Sequence, residues 1–181
     1  MKKDLLIVFF IVIAVVVLIQ GTEIQSVDEY YLTHIDDINE SSQTVFMSID
    51  CKTILNNMEN LDDGLYEYVD DGVILNKTEY VIREGDSAFD MLKRVTSYNR
   101  ILMEYQGSDK NIYNSVYVQG INHIYEFSCG ELSGWVFLVN GEESDVSCGK
   151  YKLKDGDLIQ WVYTCDLGRD IVGGGVSNSD E

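Results

Sequence analysis

The sequence predicts an α+β domain, a mixed sheet with one main helix packed on it, preceded by an N-terminal transmembrane helix. Three observations carry this. Residues 135–139 form an apolar run ending in Asn140-Gly141, a pair that tolerates the positive φ of a tight hairpin turn, and residues 158–163 form a second such run after the Asp155-Gly156 turn. Ser87 and Asp90 have the form of a capping box, followed by Ala88, Met91, Leu92 and Val95 at helical spacing. Residues 5–19 are unbroken apolar residues behind Lys2 and Lys3.

Taken in order, residues 1–21 read as a signal anchor. As a helix the apolar run 5–19 spans about 22 Å, against the ~30 Å core of a bilayer, so its length also suits a secretory signal. The following Gln20-Gly21-Thr22 lacks a small-x-small cleavage site, which favours an uncleaved anchor with the lysines inside; if the leader is cleaved, the domain is secreted. Either way, everything after Gly21 is expected outside the cell.

Residues 22–43 are polar and acidic, an extracytoplasmic stalk in which His34 reads as a surface residue. The domain proper spans 44–172. Residues 44–50 alternate as a strand, with Val45, Met47 and Ile49 on one face. Ile54, Leu55, Met58 and Leu61 predict a short helix over 53–61 with Thr53 as its N-cap. Residues 62–76 read as a loop with two Asp-Gly turns; its carboxylates lack the alternating spacing of a calcium loop. A strand over 78–83 leads into the capped helix, whose Lys93, Arg94 and Arg100 read as structural. Strands over 101–106 and 115–121 flank a polar turn at 107–114. Residues 173–181 form a flexible tail. A helix covering one face of a mixed sheet in this order fits a β-grasp-like domain.

The chain carries 13 basic and 31 acidic residues, a net charge of −18, which argues against a nucleic-acid partner because phosphate binding needs a basic surface. Cys51, Cys129, Cys148 and Cys165 all follow the membrane segment, and four cysteines in an exported domain read as two disulfides with three connectivities open. No C-x-x-C pair accompanies the two histidines, so no metal site is expected. His123 and Cys129 do not make a convincing base and nucleophile, and no enzymatic activity is expected.

The segments GELSGWVFLVNGE and YKLKDGDLIQWVYT and the closing CDLGRD resemble the transcobalamin-like C-terminal domain family, a bacterial surface module similar to the small domain of the vitamin B12 carriers. The likeness is densest over 115–170 and extends back to 44. It implies a corrinoid, cobalamin-like ligand as one candidate, with Leu132, Ser133, Gly134 and Trp135 matching the family motif. Tyr125, Phe127, Trp161 and Tyr163 would complete an aromatic platform for a flat macrocycle. If the first and last strands run side by side in parallel, as in β-grasp folds, Cys51 pairs with Cys165, leaving Cys129 with Cys148.

Two functions follow. One is a membrane-tethered binding module that helps capture a corrinoid or other small ligand and passes it to a transporter or surface protein. The other is a disulfide-stabilised interaction or adhesive module without a small ligand. An accessible Trp135 favours the first and a buried one the second.

Overall fold

The computed structural model describes residues 9, 11, 26, 29–30, 34–108 and 115–171. The chain divides into two compact units, Met1–Tyr30 and Tyr31–Glu181, and the second carries every element considered below. The expected anchor helix, save Phe9 and Ile11, and the tail 173–181 lie outside the described residues. Among the described residues no helix is long and apolar enough to cross a membrane.

The architecture is mixed α+β and dominated by sheet. Five strands, β1 (Thr44–Asp50), β2 (Val73–Val81), β6 (Gly134–Val139), β7 (Glu142–Glu143) and β8 (Leu158–Thr164), form one sheet in the order β2-β1-β8-β6-β7. β1 and β8 run parallel at its centre, with Met47 opposite Ile159 and Ile49 opposite Trp161. A parallel pair needs a long crossover, and here the whole intervening domain supplies it. Period-two alternation places Val45, Met47 and Ile49 wholly inside, together with Ile159, Trp161 and Tyr163 from β8.

The main helix is α2 (Ala88–Asn99); a single turn, α1 (Tyr66–Val69), precedes β2. The capping box forms as the sequence predicts: Asp90 N–H donates to Ser87 Oγ at 3.2 Å, and Ser87 N–H donates to Asp90 Oδ2 at 2.9 Å. Ala88, Met91, Leu92 and Val95 are the buried stripe. Arg100, at φ 56°, ends the helix in the left-handed conformation. Arg94 is buried as well, and its guanidinium donates to Asp86 Oδ2 and to the Val81 carbonyl, each at 2.8 Å.

Three expectations are corrected. The helix over 53–61 is two 3-10 turns, Lys52–Asn56 and Met58–Asn60, without a side-chain cap. Asn57 Nδ2 donates to the Thr53 carbonyl at 2.8 Å, taking the acceptor that an α-turn would use, while Thr53 Oγ1 donates to the Tyr163 carbonyl at 2.6 Å instead of capping. The loop over 62–76 is shorter than expected, because α1 forms and β2 begins at Val73. Finally, the single sheet is two. β3 (Met103–Gln106), β4 (Tyr117–Ile121) and β5 (Ile124–Tyr125) form a separate sheet in the order β3-β4-β5. Asn122 and His123, at φ 52° and 67°, turn the chain back at once, so β5 pairs with Gly120 and Ile121 at the end of β4 while β3 takes its other edge.

The presumed stalk is partly tied down: Arg83 grips Asp36 with two parallel bonds, Nε to Oδ2 at 2.7 Å and Nη2 to Oδ1 at 2.8 Å.

Candidate functional site

The tight segment between β5 and β6 builds the site. Ser133 N–H donates to the Gly130 carbonyl and Phe127 N–H to the Ser133 carbonyl, each at 3.0 Å, while Leu167 N–H donates to the Leu132 carbonyl at 3.0 Å. These bonds draw together Phe127, Leu132 and Leu167, whose side chains are 60%, 43% and 65% exposed. Phe127 and Leu167 hold φ of 70° and 49°, a region that residues other than Gly, Asn and Asp enter only at a cost. Strained backbone thus carries apolar side chains into water.

The three residues surround a cleft of about 360 Å³, walled further by Gly134, Trp135 and Tyr117. Glu131 and Glu143 stand in its lining and set an acidic rim. Tyr117 donates from its hydroxyl to Glu126 Oε2 at 2.5 Å; burial first, then that bond and the Glu126 charge, push its phenol up to about 12. A second hollow of about 200 Å³ shares Tyr117, Trp135, Val136 and Glu143 with the first and continues to Phe137, Cys148 and Trp161.

The sequence-predicted residues divide into lining and support. Leu132, Ser133, Gly134 and Trp135 line the larger cleft, and Trp135 and Trp161 line the smaller. Trp135 is only 8% exposed, its indole N–H donating to the Ile124 carbonyl at 2.8 Å, so what reaches the clefts is a rim and not an open platform. Tyr163 is wholly buried. Its hydroxyl lies 2.7 Å from the Tyr125 carbonyl and 2.8 Å from Ser133 Oγ, so it holds the turn from beneath. Tyr125 lies half-buried over Gly120, its hydroxyl donating to Glu104 Oε1 at 2.7 Å.

A Cβ on Gly120 would come within 2.5 Å of the Tyr125 ring. Gly120→Ala is therefore expected to lower stability by about 1–3 kcal/mol, the usual range for overpacking, as read by urea unfolding. Unchanged stability would mean that the ring moves aside freely.

Tyr117, Leu167 and Ser147 escaped the sequence reading. Leu167 belongs to the quoted Cys-Asp-Leu-Gly segment, but nothing in the residue string announces a left-handed leucine.

The four cysteines are free thiols in this structure. Cys165 lies near enough to Cys129 to raise its thiol, and it acts on Cys51 through its charge alone, while its own thiol lies 3.6 Å from Thr53 Oγ1. Cys148 lies instead against the Val116 carbonyl, so the structure does not bring Cys129 and Cys148 together. The reason is local: the hairpin closes at β6 and β7, and the Gly130–Ser133 turn sends Cys129 toward the Asn57 carbonyl, 3.4 Å away. Among the described residues no group of three or more His, Cys, Asp or Glu is placed to hold a metal ion. His123 stacks on Tyr68 with ring centroids 4.3 Å apart.

Burial is the leading cause that raises the Cys51 and Cys129 thiols from 9.0 to about 12 and Cys148 to about 11. A folded state that keeps its protons while the unfolded chain releases them loses stability as pH rises from 9.0 toward about 12. Reduced protein should therefore show a falling urea midpoint above pH 9.0 that is diminished in a Cys51→Ser variant. A flat midpoint through that window would show that no buried thiol titrates.

No curated protein matches the chain. Among solved structures it is similar to haptocorrin in complex with Cbi, at 13% identity and a TM-score of 0.49, over 73% of this chain and 27% of that one. It thus spans about a quarter of haptocorrin's length. It is also similar to a protein from Ruminococcus gnavus ATCC 29149 proposed to bind metal, at 14% identity and a TM-score of 0.39, over 69% of this chain and 97% of that one. Residues 85–165, from the turn before α2 to the end of β8, match a family described as a domain of unknown function, DUF4430.

Proposed function

We propose that this chain is an extracytoplasmic binding module, tethered by the apolar segment 5–19, that captures a small ligand with a flat apolar face at the Phe127–Leu132–Leu167 cleft. A corrinoid is the ligand class that the resemblance of the 132–135 and 151–164 segments to transcobalamin-like domains implies. The parallel β1–β8 pair is in keeping with the β-grasp-like reading of the fold. In an oxidising compartment, Cys165 would join Cys129, or Cys51 as the parallel β1–β8 pair implies.

One observation carries the proposal. Three large apolar side chains stand exposed around one hollow, two of them, Phe127 and Leu167, on left-handed backbone, and their exposure costs free energy until something covers them. Binding is favoured over catalysis because the Cys129 thiol, raised to about 12, makes a poor nucleophile at neutral pH. The burial of Trp135, 8% exposed, and the same apolar rim support the second reading, a protein surface, such as a transporter, docked on Phe127, Leu132 and Leu167.

Titrating the purified ectodomain with cobalamin tests the first reading. Saturable tryptophan quenching is expected, and Leu132→Asp should weaken it about tenfold or more, as loss of a buried leucine contact implies. Absence of quenching at millimolar cobalamin would remove the corrinoid reading for this chain.

A further inference from the structure

The smaller hollow contains a feature that the cleft beside it lacks. Trp161 and Ser147 both line the hollow, and Trp161 Nε1 and Ser147 Oγ are buried with no hydrogen-bond partner among the described residues. Trp161 is 2% exposed. The other polar side chains nearby are satisfied: Trp135 Nε1 donates to the Ile124 carbonyl, Ser144 Oγ to the Val146 carbonyl, and the Cys148 thiol to the Val116 carbonyl. An orphaned buried donor costs about 1–3 kcal/mol, and both of those among the described residues fall in this one hollow.

An indole N–H can only donate, so the missing partner must supply an acceptor; a hydroxyl can donate to the same atom. A carbonyl oxygen, with two lone pairs, has the capacity for both. One water would satisfy the same atoms but leave most of the roughly 200 Å³ empty, since a water occupies about 30 Å³. Its apolar walls include Val116, Val118, Trp135 and Phe137, which favour an apolar body about the size of a benzene ring. Among the described residues no lysine, arginine or histidine lines the hollow, and Glu143 does, which disfavours a carboxylate.

We propose that this hollow is a subsite for a neutral carbonyl group borne on a small flat apolar body, with Trp161 Nε1 and Ser147 Oγ as its two donors. The subsite goes beyond the cleft-binding reading and shares the Tyr117, Trp135, Val136 and Glu143 wall with it.

Benzamide is the probe, with toluene lacking the acceptor and benzoate carrying the charge. Each is titrated into the full ectodomain while the two indole N–H resonances are followed by NMR. Benzamide is expected to move the Trp161 N–H downfield saturably and to leave that of Trp135, already bonded, nearly in place. Toluene should bind more weakly without the downfield shift, and benzoate should not bind. Ser147→Ala and Trp161→Phe should each weaken benzamide about fivefold, the worth of one hydrogen bond, and leave toluene unchanged. Ser147→Ala keeps the test decisive should Trp161→Phe fold poorly.

The proposal is overturned by toluene matching benzamide with the Trp161 N–H unmoved, by benzoate binding as well as benzamide, or by no saturable shift up to the solubility limit, which would assign the hollow to water. Leu132→Asp should weaken cobalamin binding about tenfold or more and keep benzamide binding, so failure of either reading is seen apart from the other.

Discussion

Replacing Arg94 with Met is expected to lower stability by about 3–5 kcal/mol, the cost of removing one partner from a buried ion pair. The side chains of Arg94 and Asp86 are 7% and 10% exposed, and Arg94 Nη1 lies 2.8 Å from Asp86 Oδ2. The same carboxylate oxygen accepts the Arg83 N–H at 2.8 Å, and Arg94 Nη2 satisfies the Val81 carbonyl at the end of β2. Removing the guanidinium strands a carboxylate and a carbonyl together where α2 meets the sheet. Methionine retains most of the apolar length, so packing loss contributes little. Adding Asp86→Asn should recover part of the loss by removing the stranded charge. Urea unfolding of the two variants measures this, and a single-variant loss under 1 kcal/mol would show that water reaches the pair and screens it.

Trp135→Ala should also cost about 3–5 kcal/mol, the range for truncating a buried tryptophan. The ring packs edge-on to Tyr163 with centroids 5.3 Å apart, and its N–H closes on the Ile124 carbonyl, joining the two sheets. Loss of ligand in this variant would thus mix a missing contact with a loosened site. Leu132→Asp, on an exposed side chain tied through its backbone, separates the two. If Trp135→Ala unfolds within 1 kcal/mol of the parent, the ring is not the core residue that its burial implies.

Much of this was legible in the residue string because the signals were local. Ser87 and Asp90 announced their capping box, Asn140-Gly141 took the two positive φ values its hairpin demands, and the alternation of Val45, Met47 and Ile49 placed them inside. Misreadings arose where one side chain chose a distant partner. Thr53 looked like an N-cap and instead bonds to Tyr163, and Asn57 then broke the helix. The site was half legible: Leu132 to Trp135 could be quoted as a motif, but Tyr163 looked like part of a surface and is its support. Trp161 looked the same, and its orphaned N–H depends on what β4 and the 144–148 loop place opposite it. No local pattern encodes that.

The central claim is that ligand meets the protein at the Phe127–Leu132–Leu167 rim. Backbone amide shifts of the ectodomain, followed during titration with cobalamin, test it most directly. Shifts clustered at residues 127–135 and 164–168 are the predicted result; shifts confined to α2 and β2, with the rim unmoved, would contradict it.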